Sequence, residues 1–235
     1  MNHDWTRRDF LATAGAAAAT GALAAGAKAA DPQTGKIRIV GIACSLREGK
    51  STVAAVKACL DAAKAVDADA IETELIDLAT MSIPAEPAAG IPLKPGHADD
   101  FPTLVPKLAD AAVRGIIVGT PVYFSNMSSL CKAFLERCMT FRKDDFRLSN
   151  KVAGVLAIGG ARDGGQELAI RSVQIALNSQ NMIVVGEAKP SCHAGAAVWN
   201  MGDDFLADEQ NQKTINCQGQ RVAEVALLLA GKRPL

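Results

Sequence analysis

The chain has 235 residues, with 25 basic and 25 acidic side chains. That balance argues against nucleic-acid binding and against adhesion to an anionic membrane surface, both of which need a basic excess. Its six cysteines include no C-x-x-C pair, which speaks against zinc binding and dithiol redox chemistry.

The first stretch carries an address rather than a fold. Thr6-Arg7-Arg8-Asp9-Phe10-Leu11 is a twin-arginine pattern, followed by a weakly apolar, alanine-rich run to about Ala27. Ala27-Lys28-Ala29 then matches the small-x-small cleavage rule. The run falls short of the roughly 20 strongly apolar residues that a membrane span needs. Residues 1–29 are therefore expected to be a signal peptide cleaved near Ala29/Ala30, leaving one domain from 30 to 235 without a stable membrane anchor. The mature protein is expected in the periplasm. Without Arg7, Arg8, Lys28, Asp4 and Asp9 its balance is −1. Twin-arginine export serves proteins that fold, and often load a cofactor, before crossing.

Strand and helix patterns then alternate. Ile37 to Ala43 reads as a strand, and Ser51 to about Val66 as a helix with Val53, Val56, Leu60 and Ala63 on one stripe. Ile71 to Asp77 is the second strand. Leu78 to Pro102 is rich in proline and glycine and long for a connection, which predicts a functional flap or an interface arm. A short helix is expected over Thr103 to Ala112, a third strand over Gly115 to Gly119, and a fourth over Val152 to Ile158. A helix over Gln166 to Ser179, a fifth strand over Met182 to Val185 and a last helix from about Asn216 to Leu229 complete the chain. Alternation of this kind predicts an α/β fold with a doubly wound, five-stranded parallel sheet. Ligands of such sheets bind beyond the carboxyl ends of the strands.

Three loops leave that edge. The first is Cys44-Ser45-Leu46-Arg47-Glu48-Gly49-Lys50-Ser51-Thr52. A small polar loop feeding a helix start is an anion site, because unpaired amides and the helix dipole face the ligand. Ser45, Ser51 and Thr52 add hydroxyls, and Arg47 can add a charge-assisted bond to phosphate. Gly49-Lys50-Ser51 also invites a P-loop NTPase reading. That motif requires glycine at position 44, which is cysteine, and an acidic end to the third strand, which instead closes Val118-Gly119-Thr120. The second loop, Pro121-Val122-Tyr123-Phe124-Ser125-Asn126, has a proline that is expected to stop the strand ladder. It holds the chain's one tyrosine, and it runs into a helical stripe of Met127, Leu130, Phe134, Leu135 and Cys138. The third loop, Gly159 to Glu167, has glycines at 159, 160, 164 and 165, which permit close backbone approach to a ligand.

Together these loops carry a resemblance. Thr120 to Arg137, TPVYFSNMSSLCKAFLER, resembles the ring-binding loop and following helix of the flavodoxin-like NAD(P)H-dependent FMN reductases and iron–sulfur flavoproteins. S-x-R followed by Ser51-Thr52 is similar to that superfamily's FMN-phosphate loop, and Gly164-Gly165-Gln166-Glu167 to the segment bordering its flavin. The likeness covers about Lys36 to Gly186. It implies strand order 2-1-3-4-5 and FMN as cofactor. The phosphate would lie on Ser45, Arg47, Ser51 and Thr52, the ring on Pro121 to Asn126, and the ring edge near Gly160, Gly164 and Gly165. It implies an oxidoreductase taking electrons from NADH or NADPH and passing them to a quinone, free flavin, azo dye or metal ion, often as a homodimer or homotetramer. The flavin would carry the chemistry, so no catalytic side chain is expected. Export suggests an alternative, a periplasmic FMN electron carrier reduced by a protein or quinol partner, although typical flavodoxins are far more acidic than −1. The iron–sulfur relatives hold a compact cysteine cluster after the second strand. Leu78 to Thr103 has no cysteine, so no cluster and no metal are expected. Cys131 and Cys138 lie seven residues apart on one helix, too far for a bridge. Cys192 and Cys217 are expected as buried thiols, with pairing left open, and His193 as a surface histidine. Trp199 is expected either to cover the site or to pack in a dimer, a choice the sequence leaves open.

Overall fold

The computed structural model describes residues 35–200, 202 and 204–232. The twin-arginine pattern, the cleavage site and the start of the domain lie outside the described residues. Strand β1 (Ile37–Ala43) is almost entirely apolar and buried on both faces, as the centre of a parallel sheet requires. It pairs in parallel with β2 (Ile71–Asp77) from Ile37↔Ile71 to Ala43↔Asp77, and on its other side with β3 (Val113–Pro121). Next comes β4 (Val152–Gly159), and the sheet order is 2-1-3-4-5. The edge position is split. A two-residue β5 (Ile183–Val184) pairs with the start of β4, and β6 (Ala196–Trp199) pairs with its end from Leu156↔Ala196 to Gly159↔Trp199.

The helices cover both faces. On one side lie α1 (Ser51–Val66) and α6 (Glu209–Leu229), packing Val56, Leu60, Ile215, Val222 and Leu227 onto the sheet. On the other lie α2 (Phe101–Ala109), α3 (Ser129–Arg137), the short α4 (Met139–Lys143) and α5 (Gln166–Asn178). Their core holds Phe101, Phe134, Phe141, Ile170 and Val173. Helix α1 lies close to the sheet because Gly41 and Gly119 beneath it lack side chains; a Cβ on Gly41 would stand 2.5 Å from Val56 Cγ1. The buried stripe of α1 is Thr52, Ala55, Val56, Cys59, Leu60 and Ala63, so Val53 stands at its margin, half-buried.

Four expectations need correction. Strand β3 does not stop before Pro121: Pro121 pairs with Ile158, and Val122 N donates to Ile158 O at 2.9 Å. The missing proline N–H faces the β1 side, where that strand has already ended at Ala43. The expected fifth strand shrinks to two residues, and β6 does the pairing at the carboxyl edge. Helix α2 starts at Phe101, because Pro102 is tolerated in a first turn. Helix α6 starts at Glu209, capped by Asp208 Oδ1, which accepts from Asn211 N at 2.9 Å. Its first turns hide from periodicity because buried Asn211 and Thr214 occupy core positions. Asn211 Nδ2 donates to Trp199 O at 2.8 Å and Phe205 O at 2.9 Å, so this polar face is fully used.

The long segment before α2 is pinned at its base. Arg137 is 6 % exposed, and its guanidinium donates to both Asp99 oxygens, at 2.9 and 2.8 Å, and to Pro84 O at 2.9 Å. It also lies 4.7 Å over the Phe101 ring. The Arg137 hydrogen bonds hold the Asp99 carboxyl below the usual range, against the opposing effect of partial burial. Ser82 and Asp100 bond each other reciprocally at 2.8 Å. Exposure is concentrated at the tip, around residues 89–98. No described helix is long and apolar enough to cross a membrane.

Candidate functional site

The first loop begins where β1 ends. Cys44 N donates to Gly119 O at 2.8 Å, and Ser45 Oγ accepts from Arg47 N at 3.0 Å, closing a tight hydroxyl-stabilised turn. Leu46 to Lys50 are exposed, and Gly49 takes a left-handed φ of 62° while its amide donates to Asp77 Oδ2 at 3.1 Å. Lys50 sits at the N-cap of α1 and makes no side-chain cap bond; no acidic residue lies in the first turn. A helix start without a side-chain cap keeps its first amides free for an anion. Of the four expected phosphate residues, Arg47 and Ser51 are accessible. Ser45 and Thr52 are each 1 % exposed, so their hydroxyls lie under the loop rather than on it.

The second loop is a two-residue reversal. Tyr123 N donates to Asn126 O at 2.9 Å and Asn126 N to Tyr123 O at 3.0 Å. Between them Phe124 has φ 49° and Ser125 φ 59°. Turns of this hand normally carry Asn-Gly, because a side chain at positive φ is strained. Here the strained residue is a phenylalanine that is fully exposed, beside Tyr123 at 44 % exposure. Left-handed backbone and an exposed ring thus meet at one tip. The loop's base is rigid. Asn126 Oδ1 accepts from Met127 N at 2.8 Å and from Ser172 Oγ at 2.9 Å.

Ser128 ties this loop to the first. Its Oγ caps α3 by accepting from Cys131 N at 3.0 Å and donates to Cys44 O at 2.6 Å, while its amide donates to Thr120 Oγ1 at 3.0 Å. The third loop is tied to the second. Gly165, with φ +94°, packs so closely on Ser125 that a Cβ would stand 2.6 Å from its Oγ and 2.7 Å from its Cα. Gln166 closes the loop from inside, Nε2 donating to Ala161 O at 2.6 Å and Val198 O at 3.3 Å; its buried Oε1 has no partner among the described residues. Gly160 faces open space, and a Cβ on Gly164 would stand 3.0 Å from Ala161 O. Arg162 lies 4.1 Å over the Trp199 ring, and Asn200 N donates to Gly159 O at 2.8 Å. Thus β6, absent from the sequence reading, delivers Trp199 to the third loop. The sequence pattern assigns no role to Ser128 or Arg162, and it places Gln166 beside the expected ligand edge without showing that its side chain closes the third loop. The helix begins at Ser129 rather than at the expected Met127, and a serine so near the start of an apolar helical stripe was the readable signal for a cap at Ser128.

Three thiols lie behind these loops. Cys44, Cys131 and Cys138 are buried. Burial, then the adjoining Cys131 sulfur, pushes the Cys44 thiol well up, and burial raises Cys138 likewise. A thiol that stays protonated is neither nucleophile nor metal ligand. All six cysteines are free; Cys217 is buried as expected, whereas Cys192 is exposed. Among the described residues no group of three or more His, Cys, Asp or Glu is placed to hold a metal ion. His193 is an exposed histidine, its Nδ1 3.1 Å from Glu187 Oε2.

Comparisons with known proteins place the chain beside redox flavoproteins. Residues 37–196 match the family described as NADPH-dependent FMN reductase. An iron–sulfur flavoprotein of Methanocaldococcus jannaschii is 33% identical, covering 82% of this chain and 99% of its own. An NAD(P)H dehydrogenase (quinone) of Acidithiobacillus ferrooxidans is 31% identical over 64% of this chain and 80% of its own. Among solved structures, an apo NADH:FMN oxidoreductase superposes with a TM-score of 0.61 over 80% of this chain and 89% of its own, at 18% identity, a likeness of fold.

Proposed function

The chain belongs to the NADPH-dependent FMN reductase family and is an FMN-dependent oxidoreductase, and from that premise we propose that it oxidises NADPH or NADH and reduces a quinone-type small molecule. The observation that carries the reading is the left-handed Phe124–Ser125 tip locked against Gly165, an exposed aromatic platform at the carboxyl edge. The residues fit FMN. Arg47, Ser51 and the free amides of the α1 start suit a phosphate; Ser45 holds the turn that presents them. Val122 to Asn126 offer an apolar surface to the ring, with Pro121 buried in β3 beneath them, and Gly160 leaves room at its edge. When bound, FMN supplies hydride acceptance and onward transfer of one or two electrons. The protein's own share is to hold, orient and exclude water. Arg162 over Trp199 ties β6 to the third loop. No side chain is needed as a general acid, and the buried thiols stay out of the chemistry.

The reading extends to location and assembly. The twin-arginine pattern supports export to the periplasm with FMN already loaded. It also supports the second reading, an electron carrier reduced by a protein or quinol partner, because a nicotinamide pool is not expected there. The exposed Tyr123–Phe124 tip and the exposed 89–98 tip support a homodimer or homotetramer in which a neighbour covers the ring. The deciding experiment is an absorbance spectrum of the mature protein before and after anaerobic NADPH. Flavin bands that bleach within seconds are expected. Bands that persist with NADPH but bleach with a redox protein would establish the carrier. No bands, and no uptake of added FMN, would overturn both. Light scattering of the holoprotein tests assembly, and a flavin-loaded monomer would remove the subunit contact.

A further inference from the structure

The opposite edge of the sheet gathers charges that the flavin reading does not use. A cavity of about 590 Å³ opens where β3 and β4 begin, lined among others by Asp110, Arg114, Arg147, Ser149, Asn150 and Lys151. A nine-residue strand at about 3.3 Å per residue separates it from the Pro121 loop by roughly 25–30 Å. Lys151 is 7 % exposed, and its Nζ donates to Asp110 O and Val113 O, both at 2.7 Å. An ammonium has three donors, so one remains. Arg114 Nε is buried and has no hydrogen-bond partner among the described residues. Arg147 is half exposed and holds Asp144 only at 3.7 Å. The one carboxylate lining the cavity, Asp110, is committed elsewhere: Oδ1 accepts from Ala112 N at 2.8 Å and Oδ2 faces Arg38 at 3.4 Å.

Two carbonyls would account for Lys151 as a structural anchor. They do not account for Arg114 beside it, whose buried Nε has no partner among the described residues; burial first, then the Arg114 charge, push the Lys151 ammonium down to about 8, against a pull from Asp110 that is smaller than the Arg114 push and larger than the push from Arg147. Three cations converging on one cavity repel each other unless an anion completes the set. A tetrahedral oxyanion suits them: arginine forks grip phosphate oxygens, and a lysine adds a point charge. We infer that Arg114, Arg147 and Lys151 form a second anion site, distinct from the flavin loops, that binds a phosphate group, either free or carried by a nucleotide. Occupancy stabilises the fold by mass action and links phosphate supply to the amount of folded enzyme.

The test uses holoprotein saturated with FMN, so that the flavin-phosphate loop is filled. Inorganic phosphate is titrated at constant ionic strength against chloride, by calorimetry and thermal melting. Saturable binding is expected, weakened about tenfold in Arg147→Gln and in Arg114→Gln. In the wild type, phosphate raises the titration midpoint of Lys151, read by NMR of its side chain. Adenosine 5′-monophosphate in place of phosphate separates the two sources: tighter binding lost in the same variants assigns a nucleotide, and equal binding assigns the free ion. Stabilisation no greater than with chloride overturns the site. So does phosphate affinity unchanged in both arginine variants, or a Lys151 titration that phosphate does not move.

Discussion

At the carboxyl edge of the sheet the unfavourable geometry is in the backbone: Phe124 and Ser125 are left-handed, and Gly165 is pressed onto Ser125. At the amino edge it is electrostatic: Lys151, Arg114 and Arg147 share a cavity with one carboxylate, Asp110, which also bonds Ala112 N and faces Arg38. The left-handed pair is local, because two neighbouring residues suffice to make it, and only the Gly165 contact comes from a distant segment. The amino-edge cluster exists only because parallel pairing from Gly115↔Val152 sets the starts of β3 and β4 side by side. The two edges therefore respond to different perturbations, substitution of small residues in one case and pH or anions in the other.

The largest expected effect lies at the carboxyl edge. Gly165→Val adds a branched Cβ at φ +94° into Ser125. It should destabilise by about 3 kcal/mol or more and abolish flavin retention, read by denaturant unfolding and flavin fluorescence. Unchanged FMN affinity would separate this loop from the flavin. Next is Ser128→Ala, which removes the cap of α3 and the donor to the Cys44 carbonyl. A loss of about 2 kcal/mol is expected, with weaker FMN binding because the first two loops come apart.

The amino edge should answer to pH. Lys151 titrates near 8 in the folded chain, and an unfolded lysine near 10.4. Between these values the unfolded chain keeps a proton that the folded one has released, so stability rises with pH, by about 1 kcal/mol per unit at its steepest. Below the window both states are protonated, and above it both are neutral. Lys151→Met should remove that rise in urea-unfolding curves taken from pH 7.5 to 10.5. A rise that persisted would assign it to other groups. The smallest effect is Phe124→Gly. It exposes no core and relieves a left-handed residue, so stability should hold or gain about 1 kcal/mol while FMN binding weakens. Loss of stability with full FMN affinity would make the tip structural.

The three candidate loops were legible because each couples an apolar strand to a chemically unusual run: S-x-R before a helix start, proline with two aromatics, and paired glycines. The bounds of β1, α1 and β2 follow from uninterrupted apolar or alternating runs with clear breakers. Periodicity lost α6 before Asn216, since Asn211 and Thr214 fill core positions with polar side chains whose partners come from distant segments. It lost β6 because four residues, Ala196 to Trp199, are too few to show a period. Without β6, Trp199 could not be brought to Arg162. The expected phosphate residues Ser45 and Thr52 looked equivalent to Ser51 as letters, and their burial depends on how α1 settles on Gly41 and Gly119.

By itself, then, the sequence determined the alternation of strands and helices, the sheet edge that carries the three candidate loops, and the residue types offered there, since these depend on local propensity and period. Tertiary structure decided which hydroxyls face outward, how Ser128 and Gly165 lock the loops together, and where Arg114, Arg147 and Lys151 meet. Those outcomes rest on packing distances and strand register, which join residues far apart in the chain and leave no periodic trace in it.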